Sequence, residues 1–257
     1  MAQWTPFPTT GEFEFDAAGV KRQWARLHAG DREPLPEHPR VLAAWVHYHN
    51  GDYQKAYDAG LKSGPHGLVV AHKAACVYAT YLESSEKSRQ ALYLEVAERA
   101  SAQAKAHPEV VGAHYWQAYS LGRYSQSISV ARALAQGIGS RIKAALETAI
   151  QLEPRHADAL FALGMFHAEV IDKVGLLIGN MTYGVKKDTS LKLFQQGLLL
   201  TPKAPNAIME YANALVMLEG DKHAEQATRL YEKAAAIKPI DAKERLEVDL
   251  ARAELAD

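Results

Sequence analysis

A six-residue phrase recurs three times in this chain and constrains its fold more than any other feature. Each copy starts with a small residue and ends on a proline five positions later, and each closes an apolar helical stretch. The copies are Ala149–Pro154, Gly197–Pro202 and Ala234–Pro239. Repetition of this kind is typical of stacked helix pairs, in which each pair covers the apolar face of its neighbour. The phrase therefore predicts a helical repeat protein, a class that binds partners more often than it catalyses.

Helical periodicity and turn signals divide residues 39–240 into about five antiparallel helix pairs. Asn50-Gly51-Asp52 is a typical turn within a pair, because glycine supplies the left-handed end of one helix and aspartate begins the next. No segment shows the alternation of a strand. The predicted pairs cover 39–49 with 52–63, 66–84 with 86–106, 109–124 with 126–152, 156 onward with 188–200, and 204–219 with 222–237.

A short helix is predicted on each side of this array. Residues 1–38 form an N-terminal extension, in which Asp16 begins an amphipathic helix that buries Val20, Trp24 and Leu27. Residues 241–257 form a C-terminal capping helix that begins after Asp241. Its predicted apolar face consists of Leu246, Leu250 and Ala253.

The segment 170–187 interrupts the fourth pair and is apolar and rich in glycine. A surface loop is normally polar, because its backbone and side chains contact water. We therefore expect this insertion to cover an apolar surface or to be covered itself.

The repeats resemble the tetratricopeptide family. In one first helix, Leu160 and Leu163-Gly164 match the large residue and the Leu-Gly that the family favours, and His167 replaces the aromatic residue that follows. The residues of the second helices that match the pattern of small residue, aromatic residue, small residue and proline are Ala227, Tyr231, Ala234 and Pro239, and Ser190, Phe194, Gly197 and Pro202. The resemblance implies an all-α, right-handed superhelix of about five antiparallel helix pairs with terminal capping helices.

Residues of about 108–250 are similar more narrowly to the regulators of microtubule dynamics and their bacterial relatives. The similarity lies in the stretches 114–122, 149–154 and 159–164, and it extends loosely to the tetratricopeptide components of TRAP transporters. It implies a non-enzymatic protein, in a group where some members associate with apolar or lipid ligands.

Composition excludes several broad classes. Lys and Arg total 29 and Asp and Glu total 30, so no net field favours nucleic acid. The single cysteine, Cys76, forbids an internal disulfide. The first residues lack the pattern of a secretory signal, and no apolar run approaches the ~20 residues of a membrane span. We expect a cytoplasmic protein without a transmembrane segment.

Motifs for catalysis, metals or cofactors are weak or missing. Gly179 and Gly184 have the spacing of a phosphate-binding loop, but Val185-Lys186 follows where Lys and then Ser or Thr is required. The eleven histidines include no HExxH motif, and His47 and His49 point to different helix faces. A lone cysteine among alanines is typical of a small core residue. The sequence therefore predicts no catalytic residue, no metal and no cofactor.

The concave groove of the repeats is the predicted binding site. By the register of the tetratricopeptide family, the groove candidates are Tyr115, Trp116, Tyr119, Phe161, Met165, Met209, Asn213 and Met217. Aromatic and methionine side chains favour an adaptable apolar ligand. The first hypothesis is a scaffold that binds a helix or peptide of a partner protein. The alternative is a carrier of an apolar small molecule or lipid acyl chain.

Burial separates these hypotheses from a third one, in which the chain fills its own groove. An open groove requires exposed Tyr115 and Phe161, whereas a carrier requires a closed apolar tunnel against 170–185. A filled groove requires Met165 and Met209 to be buried by the C-terminal helix, the insertion or other parts of the chain.

Overall fold

The computed structural model describes residues 3–256, which form fourteen α-helices, two short 3₁₀ turns and no strand. The helices are α1 (Ala17–Leu27), α2 (Pro39–His49), α3 (Tyr53–Lys62), α4 (Leu68–Tyr81), α5 (Glu86–Ala106), α6 (Val111–Gln126), α7 (Val130–Ala135), α8 (Ile138–Leu152), α9 (Ala157–Val174), α10 (Leu176–Tyr183), α11 (Lys187–Leu200), α12 (Pro205–Glu219), α13 (Ala224–Ala235) and α14 (Ala242–Glu254). The predicted all-α class is confirmed.

The third predicted pair differs from the structure. The expected single helix over 126–152 is interrupted, so that α7 and α8 are separate helices. Gly137 lies between them with a φ of 61°, which a right-handed helix does not allow. The Ser129 hydroxyl accepts a hydrogen bond from the Arg132 amide and so forms the N-cap of α7.

The chain folds into two compact units. The first contains residues 1–28, 33–138 and 241–243, and the second contains 29–32, 139–240 and 244–257. The predicted array over 39–240 is therefore divided between residues 138 and 139.

Neighbouring helices of the first unit, α2 to α6, pack in sequence order around buried aromatic side chains. Trp45 and Tyr48 of α2 are fully buried. Close approach of α3 to the following turn depends on glycine, since a Cβ at Gly60 would lie 2.7 Å from the Gly67 carbonyl oxygen. Asp16 is the N-cap of the N-terminal helix α1, as predicted, and its carboxylate accepts a hydrogen bond from the Gly19 amide at 2.6 Å.

A buried polar cluster joins distant parts of the first unit. His49 Nδ1 lies 2.8 Å from the Asp241 carboxylate, and His49 Nε2 lies 3.3 Å from His28 Nε2. All three side chains are nearly inaccessible to solvent. Because a carboxylate only accepts, His49 Nδ1 carries a proton and donates it to Asp241.

The second unit shows why the repeated phrase begins with a small residue. Gly197 of α11 faces Phe161 of α9, and a Cβ there would lie 2.4 Å from the phenylalanine ring. Gly164 of α9 faces Phe194 of α11 in the same way, and a Cβ at Gly164 would lie 3.0 Å from the phenylalanine ring. The Ser190 hydroxyl donates to the Gly164 carbonyl at 2.7 Å. Small residues therefore let α9 and α11 approach while two phenylalanines fill the space between them.

The prediction for the apolar face of α14 was wrong at two of its three residues. Leu246 is buried, but Leu250 and Ala253 are exposed. Ala251 instead packs with Ile208, Met209 and Ala234 in the core of the second unit. The buried face also contains an acidic residue, Glu247, which is 2% exposed. Because this residue is charged, the hydrophobic periodicity of the sequence does not identify the buried face. The residues buried on α14 are Ala242, Leu246, Glu247, Val248 and Ala251.

Candidate functional site

The groove candidates of the first unit lie mostly in its core. Tyr115 and Trp116 of α6 are 6% and 4% exposed. Tyr119 is partly buried, and its hydroxyl lies 3.0 Å from Thr80 Oγ1. The three rings contact one another, so they pack as one aromatic cluster.

In the second unit, the candidates of α9 and α12 also pack against their own chain. Phe161 and Met165 belong to the same core as Phe194, and Met209 belongs to the core that includes Ala251. These three candidates are at most 9% exposed.

The remaining two candidates of α12 are partly buried and engaged by neighbours. Asn213 accepts a hydrogen bond from the Tyr231 hydroxyl at 2.8 Å. Met217 packs against the core between α9 and α11.

These positions do not meet the condition for an open groove, because Tyr115 and Phe161 are buried. They meet the condition for a filled one, because Met165 and Met209 are buried by the chain's own atoms. The physical reason is that residue spacing shows which side chains share a helix face, whereas burial depends on which neighbouring helix covers that face. Most of the candidates are therefore buried within the repeats.

The apolar insertion, in contrast, is a helix at the surface of the second unit. Gly175 precedes α10 with a φ of 81°, and Gly184 follows it with a φ of 67°, so the chain turns sharply at both ends. The inner side of α10 lies close to α9 and to the residues after it. A Cβ at Gly179 would lie 2.8 Å from Val185 and 3.0 Å from Val170.

The outer side of α10 is an exposed apolar surface. Its members, which we call the α10 apolar surface, are exposed by 52% to 80% and are Leu176, Leu177, Ile178 and Met181. Scattered apolar side chains on a surface are ordinary, but a contiguous set marks an interaction site. Within residues 3–256 the outer side of the insertion is therefore not covered, contrary to one of the two expectations for it.

Lysines lie near both ends of α10, but α10 itself contains no charged residue. Lys173 lies 3.7 Å from the Glu169 carboxylate and Lys187 lies 2.6 Å from that of Glu219. Lys186 is exposed, and within residues 3–256 its ammonium has no carboxylate partner. Its backbone amide donates to His167 Nδ1 at 2.9 Å, and burial lowers the pKa of that histidine, which favours the neutral, accepting ring.

Cys76 is buried, its Sγ lies 3.3 Å from Ser120 Oγ, and burial raises the pKa of the thiol to about 12. Across residues 3–256, no group of three or more His, Cys, Asp or Glu residues is arranged to hold a metal ion. In that same range, no helix combines the length and apolarity needed to cross a membrane.

Comparison with known proteins agrees with the repeat architecture. Residues 45–174, just over half of the chain, match the family described as Regulator of microtubule dynamics protein 1-3. The fold is similar to the crystal structure of a thermophilic TPR protein of Thermus thermophilus, with a TM-score of 0.57 and 18% identity. That similarity covers 84% of this chain and 98% of the other. At this identity it shows the fold alone. No curated protein matches the chain in sequence.

Proposed function

The chain belongs to the Regulator of microtubule dynamics protein 1-3 family, and from this membership and its tetratricopeptide-like fold we propose that it is a non-catalytic scaffold for a partner protein. The proposed contact is the α10 apolar surface. Helical repeats present extended surfaces for binding, and this surface gathers four apolar side chains that are open to solvent.

One observation supports this proposal most directly. Leu177 and Met181 lie one turn apart on the same side of α10 and are 75% and 80% exposed. Exposing such side chains to water is unfavourable by about 1.5–3 kcal/mol for each one, relative to full burial. A partner that covers them recovers this free energy on binding.

The partner chemistry follows from the shape and charge of α10. A two-turn helix with a ridge of Leu, Ile and Met packs well against the apolar stripe of a second helix. The unpaired ammonium of Lys186 favours an acidic residue beside that stripe. We therefore propose an amphipathic helix of another protein, with an acidic flank, as the partner.

The groove candidates have a supporting role in this proposal. Tyr119, Asn213 and Met217 keep part of their surface accessible and remain candidates for secondary contacts. The lipid-carrier alternative requires the 170–185 segment to cover an apolar tunnel, whereas the α10 side chains face solvent. Nothing in the arrangement of α10 favours that alternative.

The test uses a photo-crosslinking amino acid at position 177 in the full-length protein within its native cells. We expect crosslinks to an amphipathic helix of a second protein. Direct titration with that purified protein should then show binding that is about tenfold or more weaker for Leu177→Asp. The matched control is Leu199→Asp, which replaces an 83% exposed leucine on α11 and should bind normally.

Three results would overturn the proposal. They are crosslinks only between copies of this chain, equal binding by Leu177→Asp and the wild type, or crosslinks only to lipid. A lipid identified by native mass spectrometry would support the carrier alternative.

A further inference from the structure

A polar pocket in the first unit is not explained by partner binding. It has a volume of about 320 Å³ and lies where the end of α4, the first turns of α5 and the end of α6 meet. This volume is within the range of small-molecule sites. Its lining residues are Thr80, Glu86, Arg89, Gln90, Tyr93, Arg123, Gln126 and Ser127.

The charge of this lining is positive, because two guanidinium groups face one carboxylate. Arg89 donates from Nη1 to the Glu83 carbonyl oxygen at 3.1 Å, and no carboxylate of residues 3–256 forms an ion pair with it. The Glu86 carboxylate accepts from the Gln90 amide at 3.1 Å. The charge of Arg89 is thus left for an anion to neutralise.

Arg123 is held in place by an aromatic ring. Its guanidinium lies 5.3 Å from the centre of the Tyr119 ring, and its Nε donates to the Tyr119 hydroxyl oxygen at 3.3 Å. Its Nη1 donates to the Gln126 side-chain oxygen at 3.4 Å. The positive charge of Arg123 is therefore fixed beside the pocket.

The hydroxyl groups of Thr80 and Tyr93, which line the pocket, have fixed donor and acceptor roles. Thr80 Oγ1 donates its one proton to the Cys76 carbonyl oxygen at 2.8 Å. The Tyr93 and Tyr119 hydroxyls, at 2.9 and 3.0 Å, must therefore donate to Thr80. Burial raises the pKa of Tyr93, which keeps this hydroxyl protonated. The Tyr93 oxygen retains a lone pair, so it can accept a hydrogen bond from a ligand.

We propose that this pocket binds a small molecule with an oxyanion group, a carboxylate or a phosphate, held by Arg89 and attracted by the neighbouring charge of Arg123. Planar guanidinium groups bind both oxyanions through paired, charge-assisted hydrogen bonds. A hydroxyl or ammonium group elsewhere on the same molecule donates to Tyr93 or to Glu86. The site lies entirely in the first unit and does not depend on the α10 apolar surface.

The test is a nuclear magnetic resonance titration of the full-length, ¹⁵N-labelled protein with two probes at constant ionic strength. The probes are inorganic phosphate and succinate, which separate the two oxyanion classes. We expect saturable shifts of the amides and guanidinium Nε groups of α5 and α6 around the pocket with at least one probe. Arg89→Gln should weaken that binding about tenfold, as expected for losing a charged hydrogen-bond donor.

The matched control is Arg132→Gln, which removes the same charge from an exposed site on α7 and should bind like the wild type. Arg89→Lys keeps the charge and should weaken binding less than Arg89→Gln. If Arg123→Gln changes amide shifts throughout the protein, Arg89→Gln alone decides the result. The proposal is overturned if neither probe shifts the pocket, or if Arg89→Gln and Arg132→Gln bind equally.

Discussion

The contact between α9 and α11 and the neighbouring helix α10 are both apolar in sequence, yet they differ in burial. Between α9 and α11, Phe161 and Phe194 are at most 5% exposed, and each faces a glycine of the opposite helix. On α10, Leu177 and Met181 are at least 75% exposed.

The difference shows what the glycines do in each place. Gly164 and Gly197 lie inside long helices and make room for a partner ring, so a second helix can cover the apolar face. Gly175 and Gly184 lie at the ends of α10 and turn the chain, so an eight-residue helix stands between two long ones. Close packing and exposure are therefore set by the position of the glycines rather than by the number of apolar residues.

The largest effect is expected for truncating a phenylalanine between α9 and α11. Phe194→Ala should lower the free energy of unfolding by about 3–5 kcal/mol, because it removes a fully buried ring and leaves a cavity. Urea denaturation followed by circular dichroism measures this change. A loss below about 1 kcal/mol would show that this contact is not a tightly packed core.

A smaller loss is expected for adding a single methyl group at the same contact. Gly197→Ala places a Cβ 2.4 Å from the Phe161 ring and should lower the free energy of unfolding by about 1–3 kcal/mol. Gly122→Ala on α6 is the control, because its Cβ meets nothing within 4 Å and alanine favours helix by about 1 kcal/mol. Equal urea midpoints for the two variants would contradict the role assigned to Gly197.

The comparison extends to two histidines of the first unit, buried His72 and exposed His66. Both ring nitrogens of His72 lack a hydrogen-bond partner in residues 3–256, and burial lowers its pKa from 6.5 to about 3. Between those values the unfolded chain binds one more proton than the folded chain. The contribution of His72 to stability is therefore complete above pH 6.5 and decreases as the pH falls toward 3.

This linkage predicts that the free energy of unfolding falls by about 2 kcal/mol between roughly pH 6.5 and pH 5. Urea denaturation at both pH values measures it. His72→Leu should reduce the loss, whereas His66→Leu should not. An unchanged pH dependence in His72→Leu would show that this histidine takes up its proton without unfolding.

The smallest effect on stability is expected at α10. Leu177→Ala should change the free energy of unfolding by no more than about 0.5 kcal/mol, because its side chain contacts mainly water. The same urea experiment checks this. A loss comparable to that of Phe194→Ala would mean that α10 is covered in solution, and would remove the contrast between the two regions.

The fold was largely predictable because its signals are local. Prolines and glycines mark where helices end, and the pattern of small residues and rings at Gly164, Phe194 and Gly197 identifies contacts between helices. The break at Gly137 was missed because the flanking residues favour helix on both sides. The buried face of α14 was missed because Glu247 lies on it, and the burial of a charged residue depends on partners far away in the sequence.

The candidate site was less predictable, because exposure is a property of the whole fold. The sequence marked the insertion as apolar but could not show which side of α10 faces water. The pocket beside Arg89 had no sequence signal, since its lining residues come from positions 80 to 127 and resemble ordinary surface residues. The glycines that flank α10 were the available hint that it forms a separate surface helix.

The hydrogen bond between His49 and Asp241 has a consequence for how the protein is made. The two residues are 192 positions apart, and residues 241–243 complete the first compact unit. At about 5–20 residues per second, a ribosome adds Asp241 roughly 10–40 s after His49. Throughout that interval, the nascent first unit holds His49 without its carboxylate partner. The first unit is thus completed only when residues 241–243 are added, long after its other residues, which leaves an interval when chaperones can bind it.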